Sequence, residues 1–141
     1  MRHVLSIAVS LFLASSAAAQ WTDLGQGLAG TSGTPPVLTG EGPLLPTAGT
    51  KIRVEGAPAS STGYLVLGLS ALNAPFKGGV LVPSPDFPVI VAFDAGGVFQ
   101  IIFSWPVEIP AGTSMWWQCW APDAGGPKGF AASNGLLSIA S

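Results

Sequence analysis

From residue 37 onward, apolar positions come in short runs broken every few residues by glycine or proline, and no stretch keeps a helical period. Short runs with period-two alternation between turn residues predict strands. They are expected at 37–41, 51–55, 64–69, 79–82, 89–93, 98–105, 114–121 and 136–140. About eight short antiparallel strands make an all-β single domain, a β-sandwich or jelly roll.

The alternation also assigns faces. Lys51, Arg53 and Glu55 interleave with Ile52 and Val54, so that strand faces water on one side. Phe99, Ile101, Phe103 and Trp105 share one face, expected to be core, opposite Val98, Gln100, Ile102 and Ser104. Leu65, Leu67 and Leu69 form a similar inward set opposite Tyr64, Val66 and Gly68. In 114–121 both faces are apolar: Met115, Trp117 and Cys119 on one, Trp116, Gln118 and Trp120 on the other. Two readings follow. The second face is an open aromatic row, with Trp116 and Trp120 about 13 Å apart, that stacks on sugar rings beside Tyr64 or anchors a protein interface. Alternatively this is a central strand whose outer face is covered by a loop or by the amino-terminal segment.

Turn chemistry punctuates the runs. Asp94-Ala95-Gly96-Gly97 between two apolar stretches predicts a hairpin, and Asp123-Ala124-Gly125-Gly126 repeats the same device. Residues 25–36 hold four glycines, two prolines and no charge, the composition of a flexible segment. Ahead of them Trp21 and Leu24 are large apolar side chains in a short piece. That piece is expected to dock on its own sandwich or into a neighbouring copy, so Trp21 and Leu24 join Trp116, Gln118 and Trp120 as candidate interface or glycan-binding residues.

Residues 1–19 carry a short positive start (Arg2, His3), an apolar run and Ala17-Ala18-Ala19, the pattern of a secretory signal and too short for a membrane span. The expected layout is a signal at 1–19, an amino-terminal strand with the flexible segment at 20–36, and the sandwich at 37–141, in a secreted or cell-surface protein. Charged residues are only 9% of the chain, against about 25% in ordinary soluble domains. A surface so poor in charge fits cover by neighbouring subunits, a sugar coat, or a neutral Ser/Thr/Gly surface. Any sugar would use hydroxyls such as Thr31, Ser32 and Thr34, because the chain has no Asn-x-Ser/Thr sequon.

The single histidine is His3, so residues 20–141 lack the imidazole of Ser-His-Asp and Cys-His catalysis and the commonest zinc and copper ligand. The seven acids are scattered, and no Ser-x-x-Lys or phosphate-cradling loop occurs. The expectation is a non-enzymatic protein with no catalytic residue and no cofactor. Asp86, Asp94 and Asp123 are a weak calcium alternative. Within residues 20–141, four cations against seven acids leave no basic stripe for nucleic acid. Cys119 is alone, buried and inert or free to bridge another molecule.

Four segments carry a resemblance: Trp21-Thr22-Asp23-Leu24-Gly25 with Gly27-Leu28-Ala29-Gly30; residues 68–79 (GLSALNAPFKGG); Val82-Pro83-Ser84-Pro85-Asp86; and residues 120–127 followed by Gly129-Phe130. In these the chain resembles a family of uncharacterised secreted bacterial β-domains. The resemblance implies an extracellular display or structural role and brings no catalytic residues. The resulting expectation is a self-associating subunit of an extracellular fibre or coat, a homo-oligomer or filament built by adding the amino-terminal strand to a neighbour's sheet edge. The alternative is a carbohydrate-binding module.

Overall fold

A computed structural model describes residues 20–141; the signal reading at 1–19 lies outside them. Eleven strands were found: β1 (Trp21–Gly25), β2 (Val37–Glu41), β3 (Gly49–Glu55), β4 (Thr62–Gly68), β5 (Ala71–Phe76), β6 (Gly79–Pro83), β7 (Phe87–Ala92), β8 (Phe99–Ser104), β9 (Ser114–Pro122), β10 (Phe130–Ala132) and β11 (Gly135–Ile139). All pairings are antiparallel and the described residues contain no helix, so the fold is all-β and sandwich-like.

The large sheet runs β1-β11-β9-β4-β7, with β10 also on β9; the small sheet runs β2-β3-β8; and β5-β6 is a separate hairpin. The small sheet packs on one face of the large one. Ile52 and Val54 of β3 and Leu38 of β2 meet Leu65, Val91, Trp117, Cys119 and Leu136 in the main core. On the opposite face Val66 and Trp120 pack with Leu81, Ala132, Leu28 and Phe130 in a second core. The large sheet is therefore the middle of three layers over part of its area, which is why β9 is apolar on both faces.

Two side-chain devices join the layers. The register between β9 and its neighbours slips by one residue from Trp120↔Ala132 to Trp117↔Leu136, a bulge at Ser133-Asn134. The bulge turns Asn134 toward β2, where Oδ1 accepts the Leu38 N–H at 2.8 Å and Nδ2 donates to the Leu38 carbonyl at 3.1 Å. At the amino terminus Trp21 inserts beside Trp117, with ring centroids 6.1 Å apart, and donates Nε1–H to the Gly42 carbonyl at 3.0 Å. Gly40 must be glycine here, because a Cβ would sit 2.3 Å from the Trp21 ring.

Three sequence expectations change. The turn at Asp94–Gly97 forms, with Gly97 N–H bonded to the Asp94 carbonyl and Gly97 at φ 73°, but it does not close a hairpin. Its strands part at once, β7 pairing with β4 in the large sheet and β8 with β3 in the small one. Leu69 lies past the end of β4 and is 55% exposed rather than inward. Residues 25–36, expected to be a flexible segment, are held at two points: Leu28 bridges Ala132, and the Thr31 amide and hydroxyl donate to the Asp123 carboxylate.

Candidate functional site

Because β7 and β8 diverge from a shared turn into different sheets, the sandwich is open along that side. Between them lies an apolar cleft of about 320 Å³, walled by Leu65 and Leu67 of β4, Val89 and Val91 of β7, Phe99, Ile101 and Phe103 of β8, and Trp105 and Trp117 behind. At its mouth Val89 and Ile101 are 48% and 44% exposed. Phe87 is exposed on the cleft side of β7, while Ile90 and Ile102, also exposed, point by alternation to the outer faces of their two sheets. Neither strand contains a charged residue. Trp105 is 2% exposed, and its Nε1–H is the one buried side-chain donor or acceptor among the described residues without a partner. Leaving such a donor unpaired costs about 1–3 kcal/mol.

The tryptophan-rich strand has the expected parity and a different surrounding. Trp116, Gln118 and Trp120 share the face away from the small sheet, but Gln118 and Trp120 are 0% and 2% exposed. The β5-β6 hairpin covers them. Phe76 meets the Trp120 ring edge-on at 5.1 Å between centroids. Gln118 Oε1 accepts from Val82 N–H at 2.9 Å and from Trp120 Nε1–H at 2.9 Å, while Nε2 donates to the Val80 and Ser133 carbonyls at 3.0 and 3.1 Å. All the polar capacity of the amide is thus spent clamping the hairpin and the bulge to β9. The open-row expectation is corrected accordingly. Trp116 is half-buried and Tyr64 43% exposed, but a row able to stack on sugar needs Trp120, and the hairpin occupies that face.

Trp21 and Leu24, the other candidates, lie on β1 and are half-buried. Trp21 is packed inside its own sandwich, and β1 pairs with β11 of the same chain.

The acids serve turns. Asp86 accepts from the Ser84 hydroxyl and, less strongly, from the Leu69 amide, and these hold its carboxyl below the usual carboxylate range. Asp94 accepts from the Gly96 and Val98 amides. Asp123 accepts from Thr31, whose hydroxyl is the main cause of its lowered pKa, and from the Gly125 amide. Among the described residues no three His, Cys, Asp or Glu side chains gather as a metal site would require, and no helix is long and apolar enough to cross a membrane.

Cys119 is 1% exposed in the main core, and burial pushes its thiol up to about 12. The unfolded thiol ionises near 8.5, so the folded state holds the extra proton and stability must fall as pH rises between about 9 and 12. The expected slope is ~1.4 kcal/mol per pH unit, seen as the excess alkaline loss of the natural chain over Cys119→Ala in urea titrations. Equal slopes for the two proteins would refute the assignment. The folded thiol is also expected to resist alkylation until urea exposes it.

Sequence reasoning missed the cleft, although one signal was available: 87–92 and 99–104 are apolar strands without a charge between them except Asp94 in the turn. The segments carrying the resemblance include β1, the β5-β6 hairpin and the turn after Trp120. A scan of protein-family models and searches of curated proteins and solved structures return no match to this chain.

Proposed function

We propose that this chain is a secreted, non-enzymatic structural domain that self-associates through its sheet edges into an extracellular coat or fibre. The observation that carries the reading is the open β7/β8 side, an uncharged cleft with Phe87, Val89 and Ile101 exposed on its side of the two strands and Ile90 and Ile102 exposed on their outer faces. An open apolar cleft of this kind marks an interaction site, and the free strand edge beside it adds backbone hydrogen bonding to hydrophobic burial. The scarcity of charge, 9% of residues, supports a surface partly covered by copies of itself.

The amino-terminal strand is a poor donor to a neighbour in this arrangement. β1 would first have to leave β11 and draw Trp21 out from beside Trp117. The acceptor cleft, rather than β1, is therefore the centre of the proposal.

Light scattering across a concentration series of residues 20–141, followed by negative-stain microscopy, tests it. Growth from monomer to dimer and larger ordered species is expected. A monomer at every concentration would overturn the reading.

A further inference from the structure

Every outer strand of the two main sheets carries a feature that discourages pairing, except β8. β1 has Asp23 and a register shift between Asp23 and Gly25. β2 ends in Gly40-Glu41, and its Leu38 backbone groups are already taken by Asn134. β7 contains Pro88. Phe93 N–H bonds to the Ser61 carbonyl on the β4 side, so by alternation Pro88 turns its backbone to the free edge, where it removes a donor. Charges, bulges and prolines are the usual guards of sheet edges. β8, Phe99-Gln100-Ile101-Ile102-Phe103-Ser104, has no charge, glycine, proline or register shift.

The direction of its free groups follows from its last neighbour. Trp105 donates N–H to the Ala48 carbonyl and accepts from Thr47 N–H, so odd positions of β8 turn their backbone to β3. Gln100, Ile102 and Ser104 turn theirs outward, unpaired among the described residues.

Resting on the proposed self-association, we infer that β8 pairs with β8 of a second copy, antiparallel about a two-fold axis through Ile102. This register matches all the outward positions: Gln100 faces the partner's Ser104, Ile102 faces the partner's Ile102, and Ser104 faces the partner's Gln100, forming about six backbone hydrogen bonds. The two small sheets become one, in the order β2-β3-β8-β8-β3-β2. On the cleft side Ile101 meets the partner's Phe103, an aromatic against a β-branched residue, which favours strand pairing.

The cleft explains why the second β8 is needed. β2 packs over β1 and β11, and β8 reaches only to the β4 and β7 side chains at the cleft wall. The layer stops there, leaving the inner face of β7 half-covered with Val89 at the mouth. One further strand, about 4.8 Å beyond β8, lies across that opening. An uncharged strand flanked by an uncharged cleft fits another copy of itself, whereas a charged peptide would bury its charges without partners.

The test uses charge at the axis. Ile102 is 68% exposed, so Ile102→Lys leaves the monomer fold intact, which circular dichroism and the melting curve check. Sedimentation velocity is expected to show loss of the dimer for Ile102→Lys alone and for Ile102→Glu alone, and its return when the two are mixed. Ile102→Cys is expected to crosslink across the axis on oxidation, Cys119 being buried. If the natural chain oligomerises but both charged variants still do so, the β8 junction is wrong while self-association stands. If the natural chain is a monomer at every concentration, the functional proposal itself fails. Dissociation by both single charges without recovery on mixing would overturn the two-fold register.

Discussion

Replacing Gln118 with leucine is expected to remove about 4 kcal/mol of stability, a large part of the roughly 5–15 kcal/mol a domain holds. The substitution nearly preserves volume but strands the buried Val82 and Trp120 donors and the Val80 and Ser133 carbonyls. Each unpaired buried group costs about 1–3 kcal/mol, reduced where local relaxation finds another partner. Because these bonds tie the hairpin to β9, the damage is expected to be local first: protease cleavage within 71–83, a red-shift of tryptophan emission as Trp120 meets water, and an earlier urea midpoint. A loss below about 1 kcal/mol would show that hydrophobic contact alone seats the hairpin.

Trp21→Ala is expected to cost about 3 kcal/mol, combining lost contact with Trp117, an unmatched Gly42 carbonyl and a void facing Gly40. The figure is set near the low end of aromatic truncations because the ring is only half-buried. Gly40→Ala attacks the same seat from the other side by driving a methyl into the ring. Its effect should not add to that of Trp21→Ala, since the ring is already gone in the double variant. Urea midpoints of the two single variants and the double decide the point. Full additivity would mean that Trp21 does not occupy this seat.

Much of the strand architecture was legible because one face of a strand was usually wet. Lys51, Arg53 and Glu55 against Ile52 and Val54 place β3 directly, and both sides of β9 were assigned with the right parity. β5 escaped because Asn73 at φ 49° and Pro75 break its period, with a register shift between Ala71 and Ala74. β10 is three residues long and joins β9 beside a bulge, where no periodicity can register. The cleft was illegible for a different reason. Phe99, Ile101 and Phe103 read as core by alternation, and alternation reports which way a side chain points, never whether an opposing strand is there to meet it. Gln118 showed the same limit from the other side, since a polar residue between tryptophans reads as a surface position until its four partners are in place.

The large sheet takes its outermost strand from the beginning of the chain and the neighbour of that strand from the end: β1 pairs only with β11. A polypeptide emerging amino terminus first therefore holds Trp21-Thr22-Asp23 without a partner until Leu136-Leu137-Ser138 has appeared. β4, likewise, waits through some fifty residues for β9. Such long-range closure is slow compared with local pairing. The large sheet can therefore be completed only after β11 is available, while the local pairs β2-β3 and β5-β6 do not depend on it.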